Sequence, residues 1–349
     1  MTATMKAIGL RQYLPIAHPE ALLDLTLPVP EPGAHDLLVR VEAISVNPVD
    51  AKVRGQQSPA PVQPRVLGWD AAGTVAAVGS AVTRFAVGDA VYFAGDITRP
   101  GSNAQFTLVD ERIAGPKPRS LDFAQAAALP LTAITAWEAL FDRLGLESAP
   151  AAGSPQCGQS ILIIGAGGGV GSMAVQLAVS AGLTVIGTAS RPESQAWVRE
   201  LGAAHVVDHC QDLRAQLDAL GVGEVDHLLL LSETDAHFPR IPALLRPQGL
   251  ACGIVENTAP LDLRPLHGKS QGFVWEMMFA RSMRRTPDMA AQHALLAEVA
   301  RRIDAGALRG TLREVLGPID AAHLREAHRR IESGHTTGKL VLAGWSAIE

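Results

Sequence analysis

The stretch ILIIGAGGGVGSMAVQLA, residues 161–178, places a glycine cluster between an apolar run and apolar positions at helical spacing. Within it AGGGVG (166–171) has the G-x-G-x-x-G shape, with Ala166 in the first glycine's place. The segment follows a predicted strand and opens a predicted helix, the context in which such a turn holds a dinucleotide. At Gly168 the missing side chain lets the backbone come close to a pyrophosphate, and at Gly171 it lets the helix pack tightly on the strand. Free N–H groups at the helix start then face the anion, backed by the positive end of the helix dipole. Gly167, Gly168, Gly169, Val170 and Gly171 are therefore candidate cofactor-binding residues. A flexible turn without a ligand is the alternative.

The next strand discriminates between nucleotides. An NAD site carries Asp or Glu about twenty residues further on, to bind the adenosine ribose hydroxyls. Here the strand end reads TASRPES (188–194), with Ser190 and Arg191 in that place and no carboxylate before Glu193. A guanidinium suits the 2′-phosphate of NADP through charge-assisted hydrogen bonds, which favours NADPH over NADH. Otherwise Arg191 is an exposed loop residue, with Ser190 or Glu193 helping to start the helix.

Several other chemistries find no support. Cys157, Cys210 and Cys252 stand far apart with no C-x-x-C pair, against a disulfide framework and against a four-cysteine zinc site. His18, His35 and the other scattered histidines lack ligand spacing and read as surface residues. A net charge of −5 disfavours nucleic acid as a partner, and the arginines between Arg281 and Arg330 alternate with acids as on a solvated face. The start MTATMKAIGL lacks the features of a signal peptide, and the run Ala124–Leu140 is interrupted by Gln125, Pro130 and Glu138. The expectation is a reduced, cytoplasmic protein with no membrane span.

The elements that must position these residues come in two styles. The 349 residues, 47% hydrophobic and 19% charged, suffice for two ordinary domains. Up to about residue 128, short stretches at 37–46, 73–82, 87–95 and 104–110 read as strands separated by turns, a small or partly open β-barrel. From 131–141, a predicted helix, the rhythm changes. Apolar strands at 161–165, 183–189, 205–208, 225–231 and 249–255 alternate with helices, including one near 238–245. Strands that are apolar throughout and joined by helices imply a parallel sheet covered on both faces. In the tail, GFVWEMMF (272–279) reads as a strand, 290–306 as an amphipathic helix and 338–344 as a strand. The last pieces return to the first domain.

This order resembles the medium-chain dehydrogenase/reductase superfamily over nearly the whole chain. NPVD (47–50), GWDAAGTVAAVG (68–79), GDAVY (88–92), LPLTAITAWEAL (129–140), AGGGVG (166–171) and TGKLVL (337–342) fall in that family's sequence. The branch it is most similar to is the quinone oxidoreductases, in a bacterial subgroup often labelled zinc-type alcohol dehydrogenase-like. The resemblance implies an α/β fold: a GroES-like β-barrel catalytic domain (1–130 and 275–349) and a Rossmann doubly wound NADP-binding domain (131–274). Zinc members place Cys where this chain has Asn47, and a His-Glu pair where it has Trp69-Asp70. Trp cannot ligate zinc and Asn is a poor ligand, so no zinc is expected.

Without a Lewis acid, a quinone or α,β-unsaturated carbonyl suits hydride transfer better than an alcohol, because its own carbonyl spreads the developing charge. The resemblance implies transfer from NADPH, with the substrate in the cleft between domains. Residue by residue it implies Asn47 by the nicotinamide ribose or substrate carbonyl, and Asp50 as its catalytic neighbour or a turn residue. It implies Thr132 near the nicotinamide or as a helix N-cap, His209 beside the adenosine phosphate or on the surface, and Lys339 close to the cofactor or as an ordinary strand lysine. Ile254 packs on the nicotinamide or in the core, and Tyr92 is a proton donor to substrate or a core tyrosine. GFVWEMMF would pair across a two-fold axis in a homodimer, or lie buried. The competing functions are a zinc alcohol dehydrogenase and a noncatalytic NADPH-binding redox sensor.

Overall fold

A computed structural model describes residues 3–345. Its contacts divide the chain into two units, one running to Leu131 and resuming at Phe279, the other spanning Thr132–Met278.

The second unit is built on six parallel strands: Ser160–Ile164, Thr184–Thr188, His205–Val207, Val225–Leu230, Leu245–Gly253 and Gly272–Trp275. In chain order within the unit they lie 3-2-1-4-5-6 across the sheet, the doubly wound arrangement. The apolar strand runs follow from burial on both faces: Leu162, Ile164, Leu228, Leu230 and Ala251 share a core with Leu213, Leu217, Phe238 and Ile241 from the covering segments. The first and fourth strands lie side by side while their connections depart in opposite directions. Their carboxyl ends form the switch point at which such sheets bind ligands.

Local chemistry adjusts several expected elements here. The helix expected over 131–141 is Pro130–Trp137, followed by a π-helical turn, Glu138–Arg143. The helix expected near 238–245 breaks into Thr234–His237, Phe238–Arg240 and Ile241–Leu244, because Pro239 and Pro242 withhold backbone donors. The strand expected over 272–279 stops at Trp275. Glu276 then turns inward and is buried, while Trp275 and Met277 are exposed. Because Gly272–Trp275 pairs with Leu245–Gly253, the unit ends at Met278 rather than at 274. This strand occupies an edge of its sheet.

The first unit holds a three-stranded sheet, Leu23–Pro28, Thr4–Leu10 and Arg65–Val66, and a larger mixed sheet around Asp36–Ser45. Asp36–Ser45 pairs antiparallel with Ala71–Val78, with Phe106–Asp110 and with the late strand Lys339–Trp345. That last pairing, Val341 opposite Ser45 and Leu342 opposite Ile44, brings Lys339 to the end of the first long strand. The chain there turns into the short helix Pro48–Arg54, which has Asn47 as its N-cap. This helix and the strands Thr4–Leu10, Leu23–Pro28 and Leu312–Ile319 were not expected from the sequence.

Candidate functional site

At the carboxyl end of Ser160–Ile164 the backbone reverses at Gly165, whose φ of +86° favours glycine. The Gly165 N–H donates to Thr188 Oγ1 at 3.0 Å, and the Gly168 N–H to the Gly165 carbonyl at 3.2 Å. The helix Gly169–Ser180 then starts, with Gly168 as N-cap and the Ser172 N–H donating to the Gly168 carbonyl at 2.8 Å. The amides of Gly169, Val170 and Gly171 precede that donor, in the turn where helix geometry leaves N–H groups without intrahelical acceptors.

The glycines differ in what requires them. A Cβ on Gly171 would lie 2.3 Å from the Gly165 carbonyl oxygen and 2.6 Å from Ala166, so close helix–strand packing excludes any side chain. A Cβ on Gly167 would meet Ser194 Cβ at 3.2 Å. A Cβ on Gly168 would have as its nearest neighbour the Gly165 carbonyl oxygen at 3.5 Å, an ordinary contact. The protein itself does not demand glycine at 168, whereas the close approach of an anion to the turn would. The turn therefore fits a diphosphate.

The other residues expected in this unit follow the carboxyl ends of neighbouring parallel strands. Ser190 is exposed, and Arg191 is half-buried as N-cap of Pro192–Glu200, its carbonyl accepting from Ser194 Oγ at 3.0 Å. His209 lies two residues past His205–Val207, half-buried. Its ring stands edge-on to His237 at 6.4 Å, and its buried Nδ1 has no partner among the described residues. Ile254, half-buried, directly follows Leu245–Gly253, its N–H donating to the Leu230 carbonyl at 3.1 Å. Thr132 is buried as the third residue of Pro130–Trp137, inside the helix rather than at its N-cap.

In the first unit, four polar side chains with exposures of 0 to 3% meet: Asn47, Asp50, Asp70 and Lys339. Lys339 Nζ donates to Asp70 Oδ2 at 2.9 Å, to the Val46 carbonyl at 3.0 Å, and to Asn47 Oδ1. Its three N–H groups are thus all engaged by protein. Asn47 Nδ2 donates to Asp70 Oδ2 at 2.8 Å, and the Leu131 N–H donates to Asp70 Oδ1 at 2.8 Å. Burial raises the Asp70 pKa, and the ammonium and these N–H donors pull it back. Asp50 Oδ2 accepts from the Asn47 N–H at 2.8 Å, while Oδ1 is buried without a partner among the described residues. Burial pushes the Asp50 carboxyl up to about 7, against the pull of the Asn47 N–H and of Lys339. Near neutrality the Asp50 carboxyl therefore carries a proton part of the time.

Of the two readings of Tyr92, the structure shows the core tyrosine. Its side chain is fully buried and its hydroxyl donates to the Leu296 carbonyl at 2.6 Å, with burial raising its pKa. The proton is committed to a backbone acceptor in the core, which removes Tyr92 from the catalytic candidates. Lys339, expected close to the cofactor, holds Asn47 and Asp70 here. Sequence reasoning passed over Asp70, the hub of the cluster, and Thr188, which pins the glycine turn. For Asp70 the signal was present: a lone acid after Gly68-Trp69 in a run otherwise apolar and small.

Residues 33–119 match the alcohol dehydrogenase GroES-like domain, and residues 201–342 match the zinc-binding dehydrogenase domain. A zinc-type alcohol dehydrogenase-like protein of Staphylococcus epidermidis is 37% identical over 97% of this chain and 99% of its own. A quinone oxidoreductase of Lama guanicoe is 31% identical over 97% of both chains. The chain belongs to the medium-chain dehydrogenase/reductase family. The fold agrees: a solved protein of Rhizobium etli CFN 42, whose description names a zinc-dependent alcohol dehydrogenase, is 50% identical with a TM-score of 0.94, over 99% of this chain and all of its own. Members of this family are oxidoreductases that bind a nicotinamide cofactor and act on small molecules. Among the described residues of this dehydrogenase/reductase, no helix is long and apolar enough to cross a membrane.

The zinc in those relatives' names finds no matching donor set here. Among the described residues no three His, Cys, Asp or Glu side chains group together. Asp70 Oδ2 and Asn47 Oδ1 already accept from an ammonium and Asp70 Oδ1 from the Leu131 N–H, and zinc sites are built from thiolate and imidazole with few oxygens. These residues do not fit zinc.

Proposed function

We propose that this protein is an NADPH-dependent, zinc-independent reductase of quinones or α,β-unsaturated carbonyls. The observation that carries the reading is the glycine turn at the carboxyl end of the first parallel strand, with Arg191 opening the helix after the second. When bound, NADPH supplies the hydride. The amides of Gly169, Val170 and Gly171 would hold its diphosphate close over Gly168, at the positive end of the Gly169–Ser180 helix, and Arg191 with Ser190 would bind the 2′-phosphate. His209, Thr132 and Ile254 are the further cofactor contacts of this reading. Asn47 would orient the reacting carbonyl, and Asp50, with its carboxyl raised to about 7, would be its catalytic neighbour.

An acceptor with a conjugated carbonyl suits a site whose donor set does not fit a Lewis-acid metal, since the developing charge delocalises into the substrate itself. We further propose a homodimer formed along the edge strand Gly272–Trp275, beside the exposed Trp275 and Met277.

The test is NADPH oxidation by chelator-treated protein against a panel of quinones and enones, with NADH in parallel. Turnover that prefers NADPH and is indifferent to chelation supports the reading. Oxidation of alcohols that requires added zinc replaces it with the alcohol dehydrogenase reading. Tight NADPH binding without any turnover leaves a redox sensor.

A further inference from the structure

A buried carboxylate is costly unless its lone pairs find donors, and a buried ion pair is seldom more stabilising than a well-packed apolar substitute. Asp70 is nevertheless fully buried, and it gathers three N–H donors from stretches remote in sequence: Asn47, Leu131 and Lys339. The consequence is geometric. Lys339 has only donors, so it takes Oδ1 of Asn47; a carboxylate only accepts, so Asp70 takes Nδ2. The Asn47 amide is left one orientation. The other oxygen of Asp70 fixes the Leu131 N–H, immediately before Thr132.

We propose that Asp70 is a positioning residue for the reductase reaction: it sets the amide orientation of Asn47 and the helix entry at Leu131, without touching cofactor or substrate. This assignment rests on the reductase reading above. Asp70 also acts through space on Asp50, where its charge adds to burial in favouring the protonated form, against Lys339. An amide at position 70 cannot replace it. Its NH2 must face either the Leu131 N–H, breaking one contact, or the donors of Asn47 and Lys339, breaking two.

The test compares the full-length protein with Asp70→Asn and with the double variant Asp70→Asn/Lys339→Met. Asp70→Asn is expected to lower kcat by about 10- to 100-fold, as misplacement of reacting groups does. KM for NADPH should stay within about threefold, because the diphosphate is held elsewhere. The Asp50 titration, read by NMR on carboxyl-labelled aspartate, should move below its value of about 7. The double variant removes both buried charges, so Tm should recover toward the parent while kcat stays low. Recovery of kcat together with Tm overturns the proposal, as does an Asp50 midpoint that stays put. If the parent protein reduces no acceptor, the reductase reading fails by itself. The Asp50 midpoint and the Asn47 side-chain amide signals then still decide whether Asp70 positions them.

Discussion

Lys339 Nζ and Asp70 Oδ2 lie 2.9 Å apart with both side chains buried, although 269 positions separate them in the chain. The pairing of Lys339–Trp345 with Asp36–Ser45 delivers the ammonium to the N-cap of Pro48–Arg54. Removing one partner of such a pair leaves the other charge buried and uncompensated. Lys339→Met should therefore destabilise the protein by about 3–5 kcal/mol, measured by denaturant unfolding. A loss within the error of the measurement would show that the pair is dispensable.

Arg191→Ala should raise KM for NADPH by about 10- to 100-fold, the worth of a lost charge-assisted contact. KM for NADH should barely change, because that nucleotide has no 2′-phosphate. Equal effects on both nucleotides would remove Arg191 from phosphate recognition.

Gly171→Ala inserts a methyl 2.3 Å from the Gly165 carbonyl oxygen. Overpacking of this kind costs about 1–3 kcal/mol, and here the strain falls on the turn itself. Lower Tm and weaker dinucleotide binding by calorimetry should appear together. Gly168→Ala meets no such clash in the protein, so it should spare Tm and impair binding alone.

The doubly wound sheet was legible because buried parallel strands are apolar throughout, and the glycine turn because its constraints are local. The Asn47 cluster was only half legible. Asn47, Asp50 and Lys339 stood in recognisable motifs, but their partnership depends on a strand pairing across the length of the chain. Asp70 stood in view beside Trp69, but its role was hidden for that reason: nothing near it in sequence says that three distant donors converge on it. Tyr92 stayed open between two readings, since a tyrosine at a strand end looks the same from sequence whether its hydroxyl faces a ligand or Leu296. Pro239 and Pro242 were in plain view, and their breaking of the expected helix followed from their missing donors. The first two strands were overlooked because TMKAIGL and LDLTLP carry no turn signal as distinct as those that follow.

Glu276 supplies a pH prediction. Its carboxyl is pushed up to about 8 by burial and by Glu138 beside it, while Arg143, 2.8 Å away, pulls it down. The folded chain thus keeps a proton that the unfolded chain, at an ordinary value near 4.5, releases. Stability should be full below the unfolded value, decline as pH rises toward 8, and level off above it. Glu276→Gln should flatten that part of the profile in urea unfolding. An unaltered slope would place its origin elsewhere.

A crystal structure of the protein grown with NADPH tests the central claim most directly. The account predicts the diphosphate over Gly168 and against the amides of Gly169, Val170 and Gly171, the 2′-phosphate on Arg191, and the Lys339 ammonium still bridging Asn47 and Asp70. A nucleotide bound away from that turn, or a tetrahedral ion in the place of the ammonium, would contradict it.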